Sequence, residues 1–367
     1  MTAGPPRHVA VCGAGVMGAA LAYFLTRRGV AVTVIERTAV ACAASGKSGG
    51  FIALDWCDTS ELGPLARASF ALHAELARVI PVDYGYRRLH TFMMAAREQG
   101  GMRGRHPTPA PPWIDGDAVL TGALGSPDTT AQVHPARFTR ALLDAALAQG
   151  ASLKIGCVES LVQEHGAARG VVVDGTVVPA DAVVLAMGPW TGRVAGVHTL
   201  PRVQGLKGYS VTLAAPDVPP HAIFMDYRLA SGRVLEPEII PRPDGEVYVC
   251  GMADPQPLPD SADGVEVSDS ACAVLARAAG HVSTGLAGAV VTRRQACYRP
   301  VTDDGLPLIG RVPAVKQAFV ATGHGPWGML NAPATGLALS ELIADGGARS
   351  VDLRAFDPAR LPPARRS

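Results

Sequence analysis

The chain has 367 residues, 48% of them hydrophobic and 18% charged, with a formal net charge of +1. That length exceeds one small core and predicts two domains or one large α/β unit. The composition excludes a disordered or nucleic-acid-coating chain, and the near-zero charge provides no field favouring DNA, RNA or an anionic membrane.

Residues 8–36, HVAVCGAGVMGAALAYFLTRRGVAVTVIE, carry the clearest local pattern. His8–Cys12 reads as a short buried strand, the segment after Gly15 as a helix through Arg28, Gly29 as its C-cap, and residues 30–36 as a second strand. Gly13, Gly15 and Gly18 form G-x-G-x-x-G. The first glycine permits a tight turn, the second lets backbone approach a pyrophosphate, and the third lets the helix lie close on the strand. The helix N-terminus would offer unpaired N–H groups and partial positive charge to phosphates. Glu36, eighteen residues after Gly18, is placed to accept hydrogen bonds from an adenosine ribose. An acid there favours NAD or FAD over NADP, and only the adjacent Arg37 pulls the other way. The three glycines and the following Thr-Arg-Arg-Gly exclude a signal-peptide core.

Beyond Glu36 the chain does not enter another α/β repeat, as a nicotinamide dehydrogenase usually does. It makes a loop of small residues in which Ser45, Gly46, Ser48, Gly49 and Gly50 let backbone approach a flat ligand. Residues 154–190 read as successive short strands, with turns at His165–Gly166 and Asp174–Gly175 and a last buried strand running into Ala-Met-Gly-Pro-Trp. Residues 317–347 read as a strand, a glycine-rich turn and an amphipathic helix ended by Gly346 and Gly347. The final FDPARLPPARRS is expected to be a mostly solvated terminus. Seven cysteines, odd in number and without a Cys-x-x-Cys pair, argue against zinc and a secreted disulfide framework, and for a reducing, cytoplasmic setting. No segment holds eighteen uninterrupted apolar residues, so no membrane span is expected.

These pieces resemble the D-amino-acid oxidase, glycine oxidase and sarcosine oxidase superfamily of FAD-dependent oxidoreductases. The branch resembled is the one marked GH..WG..NAPATG, here Gly323 to Gly328 followed by Asn331 to Gly336. The likeness is specific at the first fingerprint, at ASGKSGG, at AMGPW and over residues 298–336, and loose over about 200–290. It implies α/β plus α+β architecture: a discontinuous Rossmann-type FAD-binding domain (1–80, 135–200 and 295–345) with an inserted mixed β-sheet substrate domain (81–134 and 201–294) and a tail, 346–367.

The resemblance also assigns roles. Gly13, Gly15 and Gly18 would hold the pyrophosphate and Glu36, beside Arg37, the ribose. Ser45, Lys47, Ser48, Gly49 and Gly50 would run beside the flavin, Val158 near the adenine, with Gly188 and Trp190 also at the cofactor. Gly323 and Gly325 would form the flavin-facing turn. The last helix, starting near Gly328, Met329 and Leu330, would aim its N–H groups at the flavin N1–C2 carbonyl, where reduced flavin carries negative charge.

RRQACYRPVTDDGLPLIG, residues 293–310, matches the family's RP.T.DG.P.IG. By that match Arg299 would grip a substrate carboxylate through two parallel bonds; the rival reading is a structural arginine paired with Asp303 or Asp304. Cys297 stands seven before Asp304, where sarcosine-oxidase-like members bond flavin covalently, but a small buried hydrophobe with non-covalent FAD is the preferred reading. Tyr248 is the pocket tyrosine of choice, with Tyr209 and Tyr227 as rivals. His324 sits in the flavin-facing turn or caps the last helix. The lysine that promotes reaction with oxygen in sarcosine oxidases has no counterpart in EVYVCGMAD, and Lys47 could supply charge from the other side, so the electron acceptor is oxygen or another molecule. The implied activity is oxidation of the C–N bond of a small amino acid or secondary amine, with hydride passing to flavin N5. Two rivals stand beside it: a flavoprotein with structural FAD serving assembly or trafficking, and a nicotinamide dehydrogenase sharing only the first fingerprint.

Overall fold

A computed structural model describes residues 5–100, 102 and 110–364; the ends of the expected FAD-binding and tail ranges, and residues 101 and 103–109 of the expected substrate region, lie outside them. The chain opens with β1 (His8–Cys12), α1 (Val16–Thr26), β2 (Ala31–Glu36), a short α2 (Ala44–Lys47), β3 (Phe51–Ala53) and α3 (Gly63–Val79). There follow β4 (Arg87–Arg88), β5 (His90–Arg97), β6 (Val119–Gly125), β7 (Thr130–Gln132), α4 (Pro135–Ala148) and β8 (Ser152–Ile155). The hairpin strands β9 (Val158–Glu164), β10 (Ala167–Val173) and β11 (Thr176–Pro179) lead to β12 (Ala182–Leu185). Then come β13 (Gln204–Ala214), β14 (His221–Arg228), β15 (Val234–Leu235), β16 (Glu238–Pro241), β17 (Glu246–Asp254), α5 (Asp269–Gly280) and α6 (Thr284–Ala287). The chain finishes with β18 (Val291–Val301), β19 (Leu308–Arg311), β20 (Ala318–Thr322) and α7 (Gly328–Asp345).

A six-stranded sheet runs β19-β20-β12-β1-β2-β8, parallel except for the antiparallel β19–β20 edge. Its strands are short apolar runs because both faces are covered. In β1, Val9 and Val11 face the core shared with α1, α3, α4 and α7, while Ala10 and Cys12 face a second core under β9–β11. Gly13 takes φ +107° at the end of β1 and donates to the Ile35 carbonyl at 2.7 Å. A Cβ on Gly13 would come within 2.5 Å of the Ala186 carbonyl oxygen, so the turn demands glycine. The turns expected at His165–Gly166 and Asp174–Gly175 both form, with all four residues at positive φ, as two-residue hairpin loops require.

The larger sheet runs β18-β13-β17-β16-β14-β5-β6, with β15 against β14, and is mixed through the parallel β14–β5 pair. Its strands alternate with period two. Val247 and Val249 of β17 turn toward the α5 core, and Tyr248 and Cys250 toward the opposite face. On β14, Ile223 and Met225 take the first side while Ala222 and Phe224 take the second. The second face looks onto the carboxyl ends of the parallel strands.

The C-terminal segment departs from the solvated terminus expected of it. Phe356 is 1% exposed in the main core, Pro358 is buried, and Arg360 forms an ion pair with Asp304 at 2.7 Å. An aromatic residue and a charged hook dock what proline and arginine content alone suggested was free; Arg365 to Ser367 lie outside the described residues. Among the described residues, no helix is long and apolar enough to cross a membrane.

Helix α7 lies on α1 through a glycine: a Cβ on Gly336 would meet the Ala20 backbone carbon at 2.8 Å. Gly336→Val is therefore expected to destabilise the protein by about 1–3 kcal/mol by forcing the helices apart, read as a lower thermal midpoint.

Candidate functional site

A cavity of about 880 Å³, within the range of about 300–1,000 Å³ usual for small-molecule and cofactor sites, separates the parallel strand ends from the inner face of the larger sheet. Gly13, Glu36, Gly156, Ala186 and Thr322, each at the carboxyl end of a different strand of the parallel sheet, line it. Open α/β sheets bind their ligands in such a crevice.

At one end the walls suit a dinucleotide. Gly15 caps α1 without a side-chain bond, and no acid occupies the first turn, so the helix N-terminus presents uncompensated N–H groups to an anion. The Ser45 hydroxyl accepts from the Val16 N–H at 2.9 Å, bringing the small-residue loop against that terminus. The Glu36 carboxylate is fixed by the Ala14 N–H at 2.8 Å and the Thr38 N–H at 3.0 Å, one to each oxygen, with lone pairs left for a ligand hydroxyl. Val158 and its neighbour Cys157 line the same end, as do Gly188 and Trp190.

Sequence reasoning missed a strap over this end. Four consecutive carbonyls after β17 each accept a side chain: Pro257 from Tyr298 at 2.6 Å, Leu258 from Arg193 at 2.8 Å, Pro259 from the Trp190 indole at 2.8 Å and Asp260 from Arg37 at 2.7 Å. Asp260, Ser261 and Ala262 thereby become cavity walls. Arg37 lines the cavity as expected, but its guanidinium is engaged by the strap. The signal was available in MADPQPLPDSADG, where three prolines stiffen a segment with no periodicity of its own.

At the other end, Gly325, Gly328 and Met329 line the wall where α7 begins. The N-cap is Trp327, with neither a side-chain cap bond nor an acid in the first turn. His324 is 4% exposed and its Nε2 meets the Thr335 hydroxyl at 3.1 Å, while its Nδ1 is buried without a partner. Burial pushes its pKa down to about 3, so the ring is neutral at working pH. Ser48 Oγ, also in a cavity-lining residue, is buried without a partner. Such orphaned polar atoms are what a bound group would satisfy, and with the two uncapped helix termini the lining fits FAD.

Above this end, the larger sheet contributes Tyr248, Cys250, Cys297 and Arg299 to the wall. Arg299 pairs with neither aspartate: Asp304 belongs to Arg360, and Asp303 accepts from Gln204 at 2.8 Å. Burial works against the Arg299 charge, but Cys250, Glu238 and Tyr248 around it outweigh this and hold its pKa above the ordinary value. Burial pushes the Cys297 thiol up, against the pull of Arg299 and Lys47. Tyr248 is 4% exposed, faces Gly49 and carries the Arg242 guanidinium 5.0 Å from its ring centre. The rival tyrosines point elsewhere: Tyr209 donates to Asp254 at 2.9 Å, and Tyr227 is fully buried beside His281.

Four expected cofactor residues stand behind the cavity wall. The Lys47 ammonium donates to the Ala296 carbonyl at 3.3 Å, tying α2 to β18 because that backbone acceptor is within reach. Gly18 serves packing, since its Cβ would lie 1.9 Å from the Gly13 carbonyl oxygen. Gly323 turns at φ +80° against Thr302, and Leu330 is fully buried in the helix core. Ser45, Ser48, Gly49 and Gly50 do line the cavity.

Replacing Trp190 by Phe removes one bond to the strap while keeping most of the ring. With about 1 kcal/mol at stake, FAD is expected to dissociate roughly fivefold faster, measured by recovery of free-flavin fluorescence after dilution.

A family profile described as DAO, FAD dependent oxidoreductase, matches residues 8–342. An oxidoreductase-class protein of Schizosaccharomyces pombe is 31% identical, over 96% of this chain and 98% of its own. Glycine oxidase of Geobacillus kaustophilus is 27% identical over 91% of this chain and 92% of its own. The crystal structure of glycine oxidase from that organism superposes with a TM-score of 0.80, covering 98% of this chain and all of the other. With the cavity at the strand ends and two uncapped helix termini in its wall, this chain belongs to the DAO family of FAD-dependent oxidoreductases and is an FAD-dependent oxidase or dehydrogenase.

Proposed function

We propose that the chain oxidises the C–N bond of a small amino acid or secondary amine bearing a carboxylate. The observation that carries this reading is Arg299: a guanidinium in the cavity wall with no hydrogen bond or ion pair to any described residue. Half-buried and without a hydrogen-bonded partner, that fork is free to take a ligand, and a carboxylate matches it with two parallel bonds. The relatives named glycine oxidase act on an amino acid of this class.

FAD, when bound, would supply the acceptor for the hydride, with its electron pair, that leaves the substrate's α carbon. Gly13, Gly15 and the N-terminus of α1 would hold its pyrophosphate, Glu36 its ribose, and the N-terminus of α7 would stabilise negative charge at the opposite end. Arg299 orients the substrate, and Tyr248 forms the wall beside it. Phe51, Trp56, Phe224 and Trp327, ring centres 4.8 to 6.3 Å apart along the chain of contacts, exclude water from the reacting carbon. His324, neutral and buried, positions rather than charges the flavin-facing turn.

The reading of a structural flavoprotein acting in assembly or trafficking is disfavoured by the same arginine, since such a protein has no use for an unpaired guanidinium in its cavity wall. Arg299→Ala is expected to lower kcat/KM for carboxylate-bearing amines about 100- to 1,000-fold, the loss of two charge-assisted bonds. Arg299→Lys keeps the charge without the fork and loses less. Assays with oxygen and with a dye acceptor run in parallel identify the oxidant, and a wild type that oxidises no amine with either overturns the reading.

We further propose that the flavin is held without a covalent bond, because burial keeps Cys297 a protonated thiol at neutral pH and thiolate is the reactive form. Acid precipitation is expected to leave the yellow colour in the supernatant; a yellow pellet would reverse the assignment.

A further inference from the structure

Glu238 opens β16 and is paired in register with Phe224 on one side and Cys250 on the other. The two-residue period that turns Ile240, Tyr248 and Cys250 to the inner face turns Glu238 there too, and it lines the cavity. No arginine, lysine or histidine lies within 4 Å of its carboxylate among the described residues. The charged and titratable groups facing it are Cys250 and Tyr248 from β17 and Arg299 from β18, with Cys297 beside Arg299 and Glu236 in the same wall. Cys250 hydrogen-bonds the carboxylate, and Arg299 acts on it by charge alone.

Resting on the carboxylate role of Arg299 above, we propose that Glu238 is the proton acceptor for the substrate amine. An amino acid arrives as a zwitterion, and its carboxylate and nitrogen are two bonds apart. A group that holds the carboxylate at Arg299 therefore sets the ammonium beside a neighbouring group, and Glu238 is the acid coupled by charge to Arg299. Hydride cannot leave the α carbon while the nitrogen lone pair is occupied by a proton. The step is a plain transfer: one N–H bond of the ammonium breaks, one O–H bond forms on a Glu238 oxygen, and the electron pair of the N–H bond stays on nitrogen. No electrons pass to the cofactor in this step. Burial raises the Glu238 pKa, with Arg299 and Cys250 opposing, which moves the carboxylate toward the range where a base is effective. The neighbouring rings of Phe51, Trp56 and Phe224, with centres 4.8 to 5.0 Å apart, favour a cation on entry.

The test is the pH dependence of Glu238→Gln in the holoenzyme. Without an internal base the variant must select the free amine from solution, so its kcat/KM should rise tenfold per pH unit between about pH 6 and pH 9. The wild type should be flat once Glu238 is ionised, and the deficit of the variant should shrink tenfold per unit as pH rises. Glu238→Asp should keep the wild-type profile with lower kcat. Binding gives a second readout: α-aminoisobutyrate, a zwitterion with no α C–H, should bind the wild type more tightly than Glu238→Gln at pH 7 and equally above about pH 10, by calorimetry or flavin absorbance. A Glu238→Gln deficit that is the same at every pH, with unchanged α-aminoisobutyrate binding, overturns the base while leaving the Arg299 reading intact. A wild type that oxidises no carboxylate-bearing amine overturns both.

Discussion

A guanidinium is a permanent cation, and one set half-buried in a cavity wall without a bonded partner calls for a ligand of opposite charge. Arg299 sits in the wall opposite the ends of the parallel strands, with its flanking aspartates committed elsewhere. Asp304 is drawn off by Arg360 of the docked C-terminal segment and Asp303 by Gln204, so both neighbours that could have neutralised the guanidinium are occupied. On the reading proposed above, Glu238, the aromatic rings and neutral His324 gain a common purpose from that guanidinium, which Glu238 meets by charge but no described residue meets by a hydrogen bond. On that reading the rings shield the reacting carbon, and Arg299 and Glu238 receive the two ends of a zwitterion.

The two sheets are held in register around the cavity by polar contacts that are themselves buried. Arg242, 4% exposed at the end of β16, donates to the Ser48 carbonyl at 2.9 Å and lies over Tyr248. It joins the cavity-lining loop at Ser48 to the sheet that carries Tyr248. Its charge is opposed by Glu246, 3.6 Å away, which also faces Arg293 at 3.8 Å. A network of this kind adds little net stability over an apolar core, but breaking one member leaves a buried charge unmet. The geometry between loop and sheet is correspondingly stiff.

Much of this was legible in the residues. G-x-G-x-x-G followed by an acid predicts its own turn, helix and strand, because each glycine answers a steric demand that no other residue meets, and Gly13 and Gly18 show those demands in full. The paired turns at 165–166 and 174–175 were readable for the same reason. What could not be read were facts of three-dimensional company. Lys47 looked like a ligand to phosphate or flavin because its loop runs beside the cofactor, yet a carbonyl of β18, distant in sequence, captures its ammonium. The proline-rich stretch after β17 has no periodicity, so nothing in it announced that four of its carbonyls would be taken by side chains from residues 37, 190, 193 and 298. Glu238 was overlooked because one acid among apolar residues on a short strand resembles a solvated edge until the register with Phe224 and Cys250 is known.

The strand order of the parallel sheet has a consequence for how the protein is made. Two of its inner strands, β1 and β2, leave the ribosome first, but β12 joins only after about half of the chain, and β20 and β19 come from residues 308–322. Helix α7, which supplies the far wall of the cofactor cavity and covers α1, follows later still. Until then α1 lacks the partner for its face around Ala20, which Gly336 of α7 covers, and the nascent chain carries exposed apolar strands of the kind that aggregate during synthesis. The wall of the cavity is therefore complete only once α7 has emerged, because its lining runs from Gly13 to Met329, near opposite ends of the polypeptide.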